Sequence, residues 1–124
     1  LIGTSTDNNT GAKLQVNGGI TYTNIFNRQT ANYTLNLTDQ NDIVETNVAT
    51  ANTVTVPTNA SVTFPIGTEI AIMQYGAGQT TIVPASGVTI RSKSSYTKIG
   101  NQYTVATLVK VGTDEWYLVG NLVA

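Results

Sequence analysis

The strongest constraint on the fold is the run from residue 102 to residue 120, which has the pattern of two β-strands joined by a short polar turn. Residues 103–111 and 115–119 are rich in β-branched and aromatic side chains, and Gly112-Thr113-Asp114 between them has the composition of a hairpin turn. Side chains alternate between the two faces of a strand, and here both faces carry apolar groups. The sequence therefore predicts a hairpin that lies centrally in a sheet, with Trp116 in the core.

Composition excludes several classes of site. The 124 residues suffice for one domain with a single core, and they include no cysteine and no histidine. Disulfides, Cys/His zinc sites and Ser-His-Asp triads are thereby excluded. With six basic and seven acidic residues the net charge is −1, so nucleic-acid binding is not expected. We also predict no cofactor, no bound metal and no membrane insertion, since no apolar run approaches the roughly 18 residues of a membrane span.

The chain divides into two predicted parts. Residues 1–30 are predicted to form a shaft-like or linker segment, with short strands around Leu14 and over residues 21–25 that have little of their own to pack against. Residues 31–124 are predicted to form an all-β C-terminal domain, an antiparallel β-sandwich or small barrel, because many short strands are separated by turn residues. Since the sequence opens at Leu1 rather than at a methionine, we expect a fragment or processed piece of a longer protein.

Three local patterns refine the prediction for the C-terminal domain. Residues 33–37 alternate between apolar and polar types, which predicts a half-buried strand. Gly76-Ala77-Gly78 is interpreted as the turn of a hairpin between strands at 69–75 and 80–83. Residues 91–98 are the most polar stretch and are predicted to form a loop just before the final hairpin.

Residues 31–124 also carry a family resemblance. The resemblance lies in six stretches and in the positions of their glycines, prolines and single tryptophan. The stretches are residues 33–39, 53–57, 64–68, 76–82, 87–90 and 108–120. Together these stretches resemble the C-terminal modules of bacteriophage fibre and tail (receptor-binding) proteins or head-fibre proteins. Residues 2–18 are similar to segments that occur where a trimeric fibre shaft meets its terminal head.

The resemblance implies a structural protein of the virion, exposed on the surface of its fibre or tail. It implies a homotrimer that meets other virion proteins through its N-terminal side and attaches to a glycan or protein of the host surface. It transfers no site residues, because such modules vary in the loops that touch the host. Three other functions stay open: a purely structural head-fibre, decoration or cap domain, a glycan-cleaving tailspike, and a carbohydrate-binding module of a bacterial surface protein.

Arg91, Lys93 and Tyr96 are the predicted ligand-binding residues. They combine an aromatic ring with hydrogen-bond donors in one polar stretch, which suits a sugar. A merely solvated loop explains the same composition and stays open as the plainer alternative.

The carboxylates predict no catalytic or metal site, and an enzyme is not expected. The acidic stretch at residues 39–42 lacks the glycine and the spacing of an EF-hand calcium loop and is interpreted as a turn. Asp114 and Glu115 are adjacent, so in a strand they would point to opposite faces and could not flank one glycosidic bond.

Overall fold

The computed structural model describes residues 18–124, which form β-strands and two short 3-10 helices. The strands are β1 (Phe26–Gln29), β2 (Tyr33–Thr34), β3 (Ile43–Thr46), β4 (Asn52–Val56), β5 (Glu69–Gln74), β6 (Thr80–Pro84), β7 (Thr89–Ser92), β8 (Lys98–Ile99), β9 (Thr104–Gly112), β10 (Glu115–Gly120) and β11 (Leu122–Val123). The 3-10 helices are Leu37–Asp39 and Lys93–Ser95. Sheet A has the strand order β1-β3-β5-β9-β10-β7 and sheet B the order β11-β8-β6-β4-β2. The all-β prediction is confirmed.

The chain follows a coiled path in which each turn contributes one strand to each sheet. β1, β3 and β5 pair in parallel in sheet A, while β2, β4 and β6 pair in parallel in sheet B. Between the second and third turns Ile43 pairs with Ala71 and Asn52 with Thr80, a shift of 28 residues in both sheets. β8 and β9 then run antiparallel to β6 and β5. Both sheets are therefore mixed, and the predicted antiparallel arrangement is wrong for the first six strands, because alternation along a strand does not encode its direction.

Glycines at the corner between β5 and β6 let successive turns stack closely. A Cβ on Gly76 would overlap the backbone of Val48, and a Cβ on Gly78 would overlap the backbone of Thr50. The Gly78 N–H donates to the Val48 carbonyl at 2.9 Å, so the hydrogen-bond ladder continues around the corner. The predicted hairpin at residues 76–78 is wrong. These glycines carry the chain from one sheet into the other.

A buried polar network fills the inside of this corner. The hydroxyl oxygens of Thr46 and Thr80 lie 2.6 Å apart, and Thr80 Oγ1 donates to Asn52 Oδ1 at 2.9 Å. Gln74 Oε1 accepts the Thr80 N–H at 3.0 Å, and Asn52 Nδ2 donates to the Gly78 carbonyl at 3.2 Å. These four side chains come from both sheets and are at most 4% exposed. Because buried polar groups require partners, the network fixes the two sheets relative to each other.

Both sheets contribute side chains to one hydrophobic core. Trp116 and Phe64 are its largest members, and their rings meet edge to face with centroids 5.5 Å apart. The prediction that Trp116 anchors the core is confirmed. The buried core consists of Leu35, Val44, Val54, Val56, Phe64, Ile70, Ile72, Ile82, Val88, Ile99, Ala106, Leu108, Trp116 and Leu118.

The C-terminal hairpin lies in the middle of sheet A, as predicted. β9 pairs antiparallel with β10 on one side and with β5 on the other. β9 buries Ala106, Leu108 and Lys110 on one face and exposes Val105 and Val111 on the other. A lysine therefore stands at a core position of the central strand.

The N-terminal part of the chain enters sheet A at β1. Residues 1–17, which include the strand predicted around Leu14, lie outside the described residues. No strand forms over residues 21–25, where one was predicted; β1 begins at Phe26 and pairs with β3. β1 thus joins the same sheet as strands beyond residue 31, and the division of the chain at residue 30 stays a prediction.

The predicted strand over residues 33–37 ends early, because Asn36 begins a 3-10 helix. The Asn36 side chain accepts the Thr38 N–H at 3.0 Å, and the Asp39 carboxylate accepts the Asn36 N–H at 2.9 Å. This capping box satisfies the backbone locally and competes with a strand ladder. Asp39 is buried and also accepts from the Tyr33 hydroxyl at 2.9 Å. Burial, and then the Asp39 carboxylate, raise the pKa of Tyr33.

Candidate binding surfaces

Two of the three predicted ligand-binding residues lie at the edge of sheet A. Arg91 belongs to β7, the edge strand, and Lys93 begins the 3-10 helix that follows. β7 pairs in parallel with β10, which places Arg91 beside Tyr117. The predicted loop over residues 91–98 is therefore partly regular structure, and it ends in β8 at Lys98.

Arg91 is held by an ion pair with Glu115 on the neighbouring strand. The Arg91 Nε donates to Glu115 Oε1, and this hydrogen bond, together with the carboxylate charge, raises the pKa of the guanidinium. Asp114 is engaged elsewhere, since its Oδ1 accepts the Asn59 backbone N–H at 2.7 Å. The two adjacent carboxylates therefore serve different partners.

A shallow groove of about 540 Å³ runs beside Arg91 and Lys93, with Tyr117 and Val119 among its lining residues. Tyr96 lies half-buried just after the 3-10 helix, where its N–H donates to the Lys93 carbonyl at 3.0 Å. It does not line the groove. The structure therefore brings Arg91 and Lys93 together and places Tyr117, rather than Tyr96, beside them.

A second surface lies on the outward side of sheet A, and we call it the A face. It covers β1, β3, β5, β9 and Val119 of β10, and it is extended by Tyr75 and Tyr103. Its central row is uncharged and crosses the strands in register. Large apolar groups are widely exposed on the A face: Tyr103 by 72%, Val119 by 61% and Tyr75 by 43%. The residues of the central row are Phe26, Ile43, Ala71, Thr107 and Val119.

Charge on the A face is partly neutralised within the chain. Arg28 Nε donates to Glu45 Oε1 at 2.5 Å, and the guanidinium carbon of Arg28 lies 4.8 Å from the centre of the Tyr75 ring. Glu45 itself is buried, at 7% exposed. Glu69 is a further acidic residue on the same side of β5. Apart from these groups, the A face offers mainly hydrocarbon and aromatic surface.

Tyr75 and Tyr103 border a small cleft of about 280 Å³ on the A face, which Met73 and Val105 also line. The two rings meet edge to face with centroids 5.7 Å apart. Tyr103 has a φ of 63°, in the left-handed region that non-glycine residues rarely adopt, and the residue is largely exposed. Sequence reasoning did not single out Tyr75, although in the strand predicted at 69–75 it alternates with Ile70 and Ile72 and is therefore expected on the outward side.

The outward side of sheet B differs from the A face. In β4 and β6 the outward positions are mainly threonine, at Thr53, Thr55 and Thr81, and these side chains are half-buried. Threonine combines high strand propensity with a hydroxyl that hydrogen-bonds water. Over β4 and β6 the outward surface of sheet B is therefore more polar than the A face.

Within residues 18–124, no group of three or more acidic, cysteine or histidine side chains is placed to hold a metal ion. No helix in that part of the chain is long and apolar enough to cross a membrane. Comparison of the chain with protein-family models, with curated proteins and with solved structures finds no match. Any functional assignment therefore depends on the surfaces described above and on the resemblance over residues 31–124.

Proposed function

We propose that this chain is a structural domain of a bacteriophage virion, at the end of a fibre or tail, that assembles as a homotrimer and contributes to attachment to a host-surface glycan. The observation that carries the proposal is the exposed A face. An antiparallel or mixed sheet with one solvated side normally places polar side chains there, whereas a contiguous apolar patch marks an interaction surface. The resemblance over residues 31–124 supports the location in the virion.

The area of the A face fits a protein interface. An aromatic side chain carries about 150–250 Å² of surface, and Phe26, Tyr75 and Tyr103 expose 51%, 43% and 72% of theirs. These three rings alone offer on the order of 300 Å², and the valines and Met73 add to it. A stable interface buries about 800 Å² on each partner. The A face therefore supplies a large part of what one subunit contact needs.

A further copy of the same chain is the partner that fits this face best. The Arg28–Glu45 ion pair is satisfied within one chain, and the whole chain has a net charge of only −1. Such a surface binds by burial of apolar area and offers little charge complementarity to an acidic or basic partner. In the proposed trimer the two sheets pack as a sandwich. The β1-β3-β5-β9 part of sheet A faces the threefold axis, the β7 edge of sheet A stays open to solvent, and the threonine-rich side of sheet B faces outward. Rotation by a third of a turn closes the ring.

Light scattering of the full chain at micromolar concentration is expected to give three times the 13.1 kDa of one subunit. Val105→Arg on the exposed part of the A face is expected to yield folded monomers, because a charge would be buried without a partner in the interface. Thr55→Arg on the outward side of sheet B is the matched control and should leave the mass unchanged. A monomeric wild-type chain would contradict the trimer, and a trimer that Val105→Arg does not weaken would place the interface elsewhere.

The attachment part of the proposal concerns the groove along the β7 edge. Arg91 and Lys93 supply hydrogen-bond donors there, and Tyr117 supplies an aromatic ring. Sugars are bound by this combination, with a ring face stacked on an aromatic side chain and hydroxyls bonded to polar groups. Arg91 is already engaged by Glu115. Most of the contacts with the sugar are therefore expected to come from Lys93 and Tyr117.

Binding of the fluorescently labelled chain to host cells is expected to fall about tenfold or more when Arg91, Lys93 and Tyr96 are replaced together by alanine, since truncating the central contact residues of a site typically costs above 1 kcal/mol each. Lys93→Ala with Tyr117→Ala should weaken binding more than Tyr96→Ala alone. Lys98→Ala is the control, because the Lys98 Nζ instead donates to the Ala124 carbonyl at 3.0 Å. If the wild-type trimer binds no host cell or host glycan, the purely structural alternative replaces the attachment role.

A further inference from the structure

Lys110 is buried in the core with its ammonium group against the side chain of an asparagine. It is 2% exposed on the inward phase of β9. Its Nζ donates to Asn59 Oδ1 at 2.6 Å and to the Phe64 carbonyl at 2.8 Å. Among the described residues, both hydrogen-bond partners of this cation are neutral oxygens, an uncommon environment for a lysine.

Burial around Nζ increases the share of uncharged amine at a given pH. Phe64 and Trp116 are nearly fully buried beside it, and the Trp116 ring centre lies 5.8 Å from Nζ. Burial lowers the pKa of Lys110, and the charge of Asp114 opposes this shift only in part. A lysine amine that is desolvated in this way becomes a nucleophile, because its free electron pair is populated at lower pH.

Asp114 completes the cluster. It lies in the turn between β9 and β10, and its Oδ1 accepts the Asn59 backbone N–H at 2.7 Å. The carboxyl group is thereby held against the residue whose side chain contacts Lys110. Two parts of the chain that are distant in sequence meet here: the connection after β4, and the end of β9 with the hairpin turn that follows it.

We propose that Lys110 and Asn59 join in an intramolecular isopeptide bond, formed by the chain itself with Asp114 as the proton carrier. The side-chain carbon Cγ of Asn59 lies one C=O bond, about 1.23 Å, from Oδ1. Since Nζ lies 2.6 Å from Oδ1, the distance from Nζ to Cγ is at most about 3.8 Å. Little movement separates this arrangement from the 3–3.5 Å of a near-attack geometry.

The reaction is balanced without any further reagent. The electron pair of the neutral Lys110 amine attacks Asn59 Cγ, and an Nζ–Cγ bond forms. Asp114 takes a proton from Nζ and delivers it to Nδ2, the Cγ–Nδ2 bond breaks, and ammonia leaves. The product is a secondary amide that retains one N–H donor for the Phe64 carbonyl. It replaces a buried cation by a neutral group, which relieves the desolvation of the lysine.

The mass of the intact, folded chain tests the proposal. It is expected to be about 17 Da below the mass calculated from the sequence, which is the loss of one ammonia. After proteolysis, tandem mass spectrometry should find a branched species in which the peptide containing residue 59 is joined to the peptide containing residue 110. A succinimide at Asn17-Gly18 would lose the same mass but would join no peptides, so the branched species is the decisive observation.

Asp114→Asn keeps the size of the side chain, but an amide neither takes up nor releases a proton at neutral pH, so this variant is expected to give the full calculated mass. Asn59→Ala and Lys110→Met should do the same, while Lys98→Met should retain the deficit. Near-ultraviolet circular dichroism of Trp116 shows that each variant is folded when its mass is measured. A folded wild-type chain with the full calculated mass and no branched peptide would overturn the proposal. If the branched peptide still forms in Asp114→Asn, the bond does not require Asp114 as its proton carrier.

Discussion

Gly78→Ala is expected to destabilise the domain by about 3 kcal/mol or more, enough to unfold a large fraction of a marginally stable chain. The added Cβ would overlap the backbone of Thr50 in the preceding turn, and neither backbone is able to withdraw without breaking the ladder at the corner. Urea denaturation followed by Trp116 fluorescence measures the change. Gly76→Ala should behave similarly against Val48.

Gly19→Ala is the matched control, since a Cβ there meets no atom of residues 18–124 within 4 Å and the backbone is not left-handed. Its effect is expected to stay within about 0.5 kcal/mol, as for an ordinary surface change. Equal stability of Gly78→Ala and wild type would show that the two turns do not stack as described.

Loss of the proposed isopeptide bond is the second large effect. Asp114→Asn is expected to lower the free energy of unfolding by about 4 kcal/mol, the loop-closure value for a cross-link between Asn59 and Lys110, which are 51 positions apart in sequence. The reason is that the bond restricts the unfolded chain. Guanidinium denaturation of the two proteins, with the fraction of branched peptide measured in the same samples, tests this. Equal unfolding midpoints, with the bond present only in wild type, would contradict it.

The same pair of proteins should differ in the dependence of stability on pH. In Asp114→Asn the free lysine has a folded pKa below its unfolded value of about 10.4, because it is buried. The unfolded state then binds more protons between those two pH values, so stability rises with pH in that window. In wild type the Lys110 nitrogen is an amide and does not titrate. Subtracting the two pH profiles of the unfolding free energy removes the contribution of Tyr33, and a flat difference would contradict the prediction.

The hairpin and its core residue were predictable because they depend on local patterns. β-branched runs on both sides of residues 112–114 predict two paired strands, and the alternation around Trp116 places that residue in the interior. The acidic stretch at 39–42 was also read correctly as local structure, since Asp39 is occupied by hydrogen bonds from Tyr33 and Asn36.

The parallel coil was not predictable from the same patterns. A glycine pair such as Gly76 and Gly78 serves equally well in a hairpin turn and at a corner where two backbones touch, and only the distant Val48 and Thr50 distinguish the two. The candidate sites depend on such distant neighbours as well. Lys110 alternates along β9 in step with the buried Ala106 and Leu108, so the sequence pattern predicts that its side chain points into the core. Nothing in the local sequence shows that Asn59 lies beside it.

Because successive turns of the chain stack, the connections on one side of the coil tolerate fewer substitutions and insertions during evolution than those on the other side. At the corner between β5 and β6 the backbone of one turn lies on that of the turn before, so neither a side chain nor an inserted residue fits at Gly76 or Gly78. In the opposite connection, residues 57–68 between β4 and β5, Asn59 and Phe64 are fixed by their contacts with Lys110 and the core, but Pro65 and Ile66 are exposed, and a longer loop there costs little. Related chains should therefore keep the corner fixed in length and diversify on the far side, where a new loop changes what the domain contacts without disturbing the register of either sheet.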